Sequence, residues 1–384
     1  MWLANIFRRI VDNPTEYMYT IFLEAASRLF TVVDVALDFW KGWSDAMDPG
    51  VVVLTESEIR GLTNLNTELV DAVEDGFKVL AAGGVSTPPP MMFTVDSDNE
   101  VDVKAAWVRS WGILSIKVAT GFFENPALGL PSGNSVLLLL DATTGQTRAV
   151  LLEGGYLTTL RAAAAGAIAA KWLAPSGAAT VGVIGTGQLA RWHARALLLD
   201  RELDSVLVYG RNPDRANALI DDLKEHTNAR IAHSKSVQEV VEASDIVVTC
   251  TSAHEILVRS EWVHPGMHIT AAGADATGKQ ELDPEILYRA DRVVCDLRAQ
   301  ALTQGECQHV TDPSMSSDGS WLTELGDVVA GMAPGRIKDD EITVCDLTGV
   351  GVQDAAIARY VLGKALGTAP VAATDPGVRR GVIV

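Results

Sequence analysis

Hydrophobic positions follow two patterns along the chain, one before and one after about residue 180. In the earlier part, short apolar runs alternate with turn residues; the runs are MMFTV, VDVKAAWV, LSIKVAT and VLLLLDATTG. Runs of this kind predict an antiparallel, partly open sheet. Helices are predicted on both sides of it, over 56–84, where Thr55 and Glu58 fit a capping box, and over the alanine-rich stretch 157–174.

From residue 180 onward, continuous apolar strands alternate with helical segments. The strands are ATVGVIG, SVLVYG, ARIAHS, DIVVTCTSA, HITAAGA and RVVCDL, and helices are predicted between them. This alternation predicts a parallel, doubly wound Rossmann sheet. After about residue 312, a helical LTELGDVVAGM, a strand DEITVCDLTG and a final helix VQDAAIARYVLGKAL are predicted to return to the first domain.

The fold class predicted from these patterns is α/β, with a Rossmann domain over 175–311. A second, α+β domain with a mainly antiparallel sheet is predicted from 48–174 together with 312–384. Residues 1–47 are expected to be an appended segment, and their amphipathic pattern predicts a helix. No uncharged run in that segment approaches the ~20 residues that a membrane-spanning helix needs.

Composition and charge limit the classes of function. The 384 residues include 48% hydrophobic and 21% charged residues, and the net charge is −18. An acidic chain is repelled by nucleic acids and by anionic membranes, so neither is expected as a partner. The four cysteines form no CxxC pair and the seven histidines form no HExxH motif, which favours a reduced, cytoplasmic setting without a metal site.

The turn GTGQLA at 185–190 matches the pattern G-x-G-x-x-A between a strand and a helix. Gly185 permits the tight turn, Gly187 lets the backbone approach a pyrophosphate, and Ala190 lets the helix pack on the strand. Gln188 and Leu189 open the helix, whose N-terminus offers free N–H groups to phosphates. An ordinary strand–turn–helix is the alternative, but the surrounding βαβ pattern favours a dinucleotide site.

The end of the next strand normally selects the cofactor. An acid there would hold the ribose hydroxyls of NAD, and this chain instead has Tyr209, Gly210 and Arg211. Arg211 could bind the 2′-phosphate of NADP, while the nearby Asp214 weakens that argument. The sequence leaves NAD and NADP open.

Six segments carry a more specific signal than the glycine turn. They are SIKVATGFFENPALGLPSGNSVLLLLDATTG, LTTLRAAAAGAIAAKWLA, VGVIGTGQLARWHARAL, DIVVTCTSA, HITAAGADATGKQELD and VCDLTGVGVQDAAIA. Their order and spacing resemble the ornithine cyclodeaminase/mu-crystallin family over nearly all of residues 51–365. Within that family, GFFENPALGLPSGN is most similar to members linked to ectoine utilisation and to relatives that reduce iminosuccinate to aspartate.

The resemblance implies a nicotinamide-binding Rossmann domain and a flanking domain that binds substrate and pairs its sheet with that of a second subunit. It implies hydride transfer at the Cα–N bond of an amino or imino acid. The family positions assign carboxylate binding to Lys117 and Arg161 and the catalytic acid–base role to Asp275. Further cofactor contacts implied by family position are Ser132, Thr251, Thr270, Ala271 and Lys279.

Each of these roles has a plainer structural alternative. Lys117 could be a solvated edge-strand residue, Arg161 could help to start its helix, and Asp275 could cap a turn. In favour of the chemistry, a substrate carboxylate needs cations. Oxidation of an amine also needs a base for the nitrogen proton, and a carboxylate at the C-terminal end of a Rossmann strand is suitably placed.

The sequence departs from the family after the triple proline. Relatives often carry a further carboxylate-binding arginine there, where this chain has Met91, Met92 and Phe93. Three functions follow from the resemblance: an ornithine cyclodeaminase-type enzyme that recycles its cofactor, an imine reductase or amino-acid dehydrogenase, and a non-catalytic nucleotide-dependent binding protein. Asp275 favours the first, and the missing arginine favours the second.

Overall fold

Two large β-sheets organise the chain, in agreement with the two sequence patterns. A computed structural model describes residues 50–95, 99–312, 315 and 317–368, and the structural statements below concern these residues. The predicted appended segment, residues 1–47, lies outside the described residues.

The first sheet is mainly antiparallel, as predicted. Its strands are β1 (Val52–Thr55), β2 (Val85–Ser86), β3 (Met91–Val95), β4 (Asn99–Val108), β5 (Ile113–Gly121), β6 (Gly133–Asp141) and β7 (Thr147–Leu152). Their order is β1-β7-β6-β5-β4-β2, and β3 also pairs with β4. Only the β1–β7 pair among these described strands is parallel.

The second sheet has eight strands, and every pair is parallel, which confirms the predicted Rossmann architecture. The strands are β8 (Thr180–Ile184), β9 (Ser205–Tyr209), β10 (Arg230–His233), β11 (Ile246–Thr249), β13 (His268–Ala271), β15 (Arg292–Cys295), β16 (Thr323–Glu324) and β17 (Thr343–Asp346). Their order is β10-β9-β8-β11-β13-β17-β15-β16. The short strands β12 (His254–Val258) and β14 (Gln280–Leu282) pair separately with each other.

Helices connect and cover the strands. In chain order they are α1 (Glu56–Leu62), α2 (Thr67–Ala81), α3 (Tyr156–Leu173), α4 (Gln188–Asp200), α5 (Pro213–Lys224), α6 (Val237–Glu242), α7 (Pro284–Arg289), α8 (Arg298–Gln304), α9 (Leu325–Val329) and α10 (Gly351–Ala365). Single 3-10 turns lie at Arg109–Trp111, Asn125–Leu128, Ser260–Trp262 and Glu306–His309.

The helix predicted over 56–84 is two helices. The capping box of Thr55 and Glu58 starts the first one as predicted. Thr63 is extended, and the side chain of Asn66 accepts a hydrogen bond from the Leu69 N–H and starts the second helix. The competing N-cap signal in TNLN therefore outweighs the continuous apolar pattern.

The inner face of the first sheet packs on α2, α3 and α10. Side chains alternate between the two faces of a strand, so directly paired residues of neighbouring strands share a face. Leu137 on β6 and Leu151 on β7 are paired and fully buried. They join Phe77, Leu157 and Val361, from the three helices, in one hydrophobic cluster.

The chain after residue 312 does not return directly to the first domain. β16 and β17 belong to the parallel sheet, and β17 lies between β13 and β15. The predicted helix LTELGDVVAGM is helical only over Leu325–Val329. Sheet membership thus differs from the predicted domain division at residue 311, because the order of strands along the chain does not give their order in the sheet. Among the described elements that follow residue 312, α10 is the one that packs on β4, β5 and β6 of the first sheet.

Candidate active site

The site lies where the carboxyl ends of the parallel strands meet the first sheet. β9 lies on one side of β8 and β11 on the other, so the strand order reverses between β8 and β11. Ligands of open α/β sheets bind at this switch point. Gly185 follows β8 with φ of +124°, and a Cβ on it would lie 2.6 Å from the carbonyl oxygen of Cys250. The turn therefore requires glycine at this position.

The N-terminus of α4 is uncapped and open, as a site that could hold the pyrophosphate of a dinucleotide would be. Gly187 is the N-cap residue, and no side chain caps the helix. A Cβ built on Gly187 meets nothing within 4 Å, so the space beside the free N–H groups is open. Ala190 is fully buried against the sheet. Gln188 is exposed and Leu189 half-buried at the first turn, where backbone N–H groups attract phosphates.

At the end of β9, Arg211 is exposed between Gly210 and Asn212. Asn212 caps α5 by accepting a hydrogen bond from the Arg215 N–H at 3.1 Å. No acid follows Tyr209, as read from the sequence. Arg211 thus follows the strand end that the sequence analysis predicts to meet the adenosine end of the cofactor.

A buried glutamate joins the two loops that follow β11 and β13. Glu281 Oε1 accepts hydrogen bonds from the N–H and the hydroxyl of Thr251, both at 2.7 Å, and Oε2 accepts one from the Gly273 N–H at 3.0 Å. Burial raises the pKa of Glu281, although these hydrogen bonds favour the charged form. The sequence analysis placed Thr251 at the cofactor but did not find Glu281, which holds it.

Lys117 and Arg161, the two predicted carboxylate-binding residues, lie together. Lys117 is on β5 and Arg161 is in the second turn of α3, and both are buried. Lys117 Nζ lies 3.1 Å, and Arg161 Nε 3.0 Å, from the same oxygen, Oδ1 of Asp354 on α10. Arg161 also donates to Gln353 Oε1 at 2.9 Å. The structure brings two cations and one carboxylate to a single point.

Desolvation dominates the titration of Lys117. Burial, together with the like charges of Arg161 and Lys104, lowers the pKa of Lys117 to about 8, and Asp354 and Asp102 oppose that change. Desolvation alone would raise the pKa of the Asp354 carboxyl, but Lys117, Arg161 and Lys104 lower it below its ordinary value. Asp354 is therefore an anion at neutral pH.

Asp275, the predicted acid–base residue, lies on the loop after β13 with its side chain 48% exposed. Its Oδ1 accepts a hydrogen bond from Lys279 Nζ at 2.8 Å, and Lys279 also pairs with Glu100 Oε1 at 3.2 Å. Desolvation would raise the pKa of Asp275, but the charges of Lys279, Lys104 and Arg161 outweigh it and lower the pKa. Asp275 is thus ionised, and Lys279 faces two carboxylates rather than open space.

Lys104 on β4 is a charged residue of the site that the sequence analysis missed. It is buried directly opposite Lys117, and its ammonium lies 3.0 Å from the carbonyl oxygen of Thr348 and 3.1 Å from Asp102 Oδ2. Glu100, Asp102 and Lys104 share one face of β4 because side chains alternate. The charged residues at every second position of NEVDVKAAWV were the signal in the sequence that could have identified this charged face.

The remaining predicted cofactor contacts differ in their exposure. Thr270 is fully buried, and its hydroxyl bonds to Nε2 of His268 at 3.0 Å. Ala271, at the end of β13, is also buried, and the contact of these two residues with the cofactor stays a prediction. Ser132 is exposed in the loop before β6, and its carbonyl accepts a hydrogen bond from the Phe122 N–H at 2.7 Å.

Three further buried acids hold the loops at the same edge. Asp296 accepts hydrogen bonds from Thr348 and from the Gly349 N–H, and Glu306 accepts them from the backbone of Glu281 and Leu282. Asp346 accepts one from the Cys307 N–H. Burial raises the pKa of Asp346 to about 7, because its charged form is desolvated beside Asp296.

Other sequence features fall outside this site. Cys250, Cys295, Cys307 and Cys345 are buried free thiols. Across the described residues, no group of three or more His, Cys, Asp or Glu side chains has a metal-binding arrangement. None of the helices in the described ranges combines the length and the apolar character that crossing a bilayer requires.

Comparison with known families and proteins agrees with this fold. The model of the ornithine cyclodeaminase/mu-crystallin family matches residues 50–369. The chain is 40% identical over 319 residues to y4tK of Sinorhizobium fredii, described as an uncharacterized cyclodeaminase, and the match covers 83% of this chain and 96% of that protein.

Two solved structures share the fold closely. An archaeal alanine dehydrogenase dimer with bound NAD has a TM-score of 0.76 and 32% identity, covering 83% of this chain and 96% of that one. The iminosuccinate reductase of Paracoccus denitrificans, in complex with NAD⁺, has a TM-score of 0.75 and 34% identity, covering 83% and 97%.

Proposed function

Because this chain belongs to the ornithine cyclodeaminase/mu-crystallin family, we propose that it is a nicotinamide-dependent enzyme acting at the Cα–N bond of an α-amino or α-imino acid. One observation carries this proposal: Lys117 and Arg161 converge on one point, and the charge of Arg161 helps to lower the pKa of the Asp275 carboxyl. The convergence supplies cations for a substrate carboxylate beside a group that can exchange a proton with the substrate nitrogen.

Each residue of the proposed site has a separate role. Lys117 and Arg161 bind the α-carboxylate and thereby fix the orientation of Cα. Asp275 is ionised, so it accepts a proton from an amine that is being oxidised, or a hydrogen bond from an iminium that is being reduced. Lys279 keeps that carboxylate charged and fixes its position. A nicotinamide bound at the crevice supplies or accepts the hydride at Cα.

The cofactor assigned is NAD or NADP. Gly187 and the first turn of α4, at Gln188 and Leu189, would hold the pyrophosphate, and Gly185 allows the chain to turn there. The related structures described above contain NAD or NAD⁺, which supports NAD. The exposed Arg211 in place of an acid supports NADP.

Net reduction of an imino acid, or its reverse, is the reaction that the charges support best. The buried ammonium of Lys104 lies directly opposite Lys117. A substrate with a second, side-chain ammonium would meet that charge, and Asp102, the nearby carboxylate, is already paired with Lys104. Like charges in a desolvated pocket repel strongly.

Ornithine cyclodeaminase-type chemistry is the second candidate. It converts ornithine to proline and ammonia with no net consumption of cofactor. The presence of Asp275, which matches the catalytic acid expected for such enzymes, and the similarity to y4tK support it. A third candidate, a binding protein without turnover, is disfavoured because Lys117, Arg161 and Asp275 are all retained.

A panel of imino acids, oxo acids with ammonia, and diamino acids separates these candidates. Each compound is supplied with NADH, NADPH or the oxidised cofactors, and absorbance at the reduced nicotinamide is read together with product mass. A reductase oxidises one reduced cofactor per product. A cyclodeaminase consumes ornithine at constant absorbance, and a binding protein binds the cofactor but forms no product from any compound.

We also propose that two copies of the chain pair through the outer face of the first sheet. Met91, Phe93 and Trp107 on that face are 58%, 50% and 38% exposed. They pair across the sheet with further apolar residues, such as Val103 opposite Met91. An exposed apolar patch of this kind marks an interface. Sedimentation equilibrium of the protein and of Phe93→Glu tests the pairing, which the added charge should weaken; a monomeric wild type would refute it.

A further inference from the structure

A single carboxylate oxygen connects the two cations of the site. Oδ1 of Asp354 lies 3.1 Å from Lys117 Nζ and 3.0 Å from Arg161 Nε. Lys117 is on a strand, Arg161 is on α3 and Asp354 is on α10, so the contact joins three elements that are distant in sequence. The side chains of Lys117 and Asp354 are each 1% exposed and that of Arg161 is 8% exposed. Little of this contact is therefore open to bulk water.

The surroundings of Lys117 are otherwise mostly positive. The guanidinium of Arg161 faces it from α3, and Lys104 and Asp102 act on it from β4. Asp102 is paired with Lys104 at 3.1 Å. Asp354 is therefore the anion that directly balances Lys117. Two cations that face each other without a counter-charge repel and lose protons or move apart.

We propose that Asp354 is a positioning residue for substrate binding: it holds Lys117 and Arg161 at one point and keeps Lys117 charged, so that the pair can bind the substrate carboxylate. This inference rests on the function proposed above. Asp354 takes one of the three N–H donors of the lysine. Arg161 Nη1 donates to Gln353 Oε1, so the remaining donors of the lysine and Nη2 of Arg161 are left for an incoming carboxylate.

The asparagine variant tests the charge without changing the shape. In Asp354→Asn, the amide oxygen still accepts from Lys117 and Arg161, while the negative charge is lost. Oδ2 of Asp354 makes no hydrogen bond with any described residue, so the new NH₂ group breaks no existing contact. Loss of an adjacent counter-charge lowers the pKa of a lysine by about 1–3 units. For Lys117, that change begins from a pKa of about 8.

The experiment is the pH dependence of kcat/KM for the imino acid that the panel identifies, from pH 5.5 to 9.5. In the wild type, kcat/KM should fall on the alkaline side with an apparent pKa near that of Lys117, about 8. In Asp354→Asn, this alkaline limb should move to lower pH by about 1–3 units. KM should rise about threefold or more at pH 7.5, because a smaller fraction of Lys117 is then charged, with a smaller change in kcat. Asp354→Glu should restore the position of the limb.

Glu74→Gln is the matched control. Glu74 is also a buried carboxylate bound to a lysine, with Lys171 Nζ at 3.0 Å and Trp172 Nε1 at 2.9 Å. It contacts α3 ten residues after Arg161, which is about 15 Å along the helix. Its replacement should lower stability without moving the pH profile.

The outcomes separate the inference from the proposed function. A wild type that turns over no compound in the panel overturns the proposed function and this inference with it. An active wild type whose alkaline limb stays in place in Asp354→Asn overturns the inference alone. An equal shift in Glu74→Gln would also overturn it, because the effect would then report general destabilisation.

Discussion

Gly185 and Gly187 serve different purposes, one for the backbone conformation of the turn and the other for space beside the cofactor. Replacing each by alanine should distinguish these two purposes. At Gly185, φ is +124° and a Cβ would lie 2.6 Å from the carbonyl oxygen of Cys250. At Gly187, φ is −82° and a Cβ meets nothing within 4 Å. We expect Gly185→Ala to lose stability, and Gly187→Ala to lose cofactor affinity while keeping its stability.

The magnitudes follow from these surroundings. A non-glycine residue in a sparsely populated backbone region costs about 1–3 kcal/mol. The displaced Cys250 carbonyl belongs to a residue whose N–H donates to Ile184 at 2.8 Å, a hydrogen bond worth about 1 kcal/mol. The sum, about 2–4 kcal/mol, corresponds to a decrease in Tm of roughly 3–6 °C for a chain of this length. For Gly187→Ala the same change of residue is neutral or stabilising by up to about 1 kcal/mol.

The assay compares thermal unfolding with and without NADH or NADPH, and measures Kd by nucleotide fluorescence. At a cofactor concentration of 100 times Kd, binding stabilises the wild type by about 2.7 kcal/mol. A methyl group beside the N-terminus of α4 should weaken binding about tenfold or more, or about 1.4 kcal/mol. The cofactor-induced increase in Tm of Gly187→Ala should then be about half that of the wild type.

Two results would refute this reasoning. If Gly187→Ala bound cofactor with the wild-type Kd, the space beside the first turn of α4 would not hold the pyrophosphate. If Gly187→Ala lost as much Tm as Gly185→Ala, the difference in backbone geometry between the two glycines would not determine stability.

The remaining predictions concern single charged groups. Asp275→Asn should lower kcat by about 10²–10⁴-fold while cofactor Kd stays unchanged; wild-type turnover would remove Asp275 from the mechanism. Arg211→Ala should raise the KM for NADPH and leave that for NADH, and equal effects on both would exclude a contact with the 2′-phosphate. Burial raises the pKa of Asp346 to about 7, so its contribution to stability is present below about pH 4 and is lost as pH rises through 7. The free energy of unfolding of Asp346→Asn, measured by chemical denaturation, should therefore increase by about 1–4 kcal/mol relative to that of the wild type between pH 4 and 7. A difference between the two proteins that stays constant with pH would refute this.

The local parts of the site could be predicted from the sequence because short segments determine them. The turn at Gly185 and Gly187 depends on its neighbours, and β8 and α4 lie directly on either side. The parallel sheet also follows from local alternation of strands and helices. The placement of β17 could not be predicted, since a strand that follows a long excursion can join a sheet at several positions.

The arrangement of charges in the site was harder to predict from the sequence because it depends on tertiary contacts. Lys117 and Asp354 are 237 residues apart in the sequence. In GVQDAAIARY, Asp354 has the spacing of an ordinary solvated helix residue, and only the packing of α10 on the first sheet buries it. Lys104 has the same ambiguity, because alternating charges on a strand normally face water. The sequence identified the cations but not the anions and second lysine that control them.

The position of β17 between β13 and β15 also constrains how the protein can be made. Roughly 50 residues lie between β15 and β17. A ribosome adds about 5–20 residues per second, so β17 is synthesised several seconds after β15. During that interval the nascent sheet lacks a central strand. Residues 175–311 produced alone would lack it permanently. Expression of the dinucleotide-binding half as an independent fragment therefore requires residues 343–346 to be supplied, for example by circular permutation.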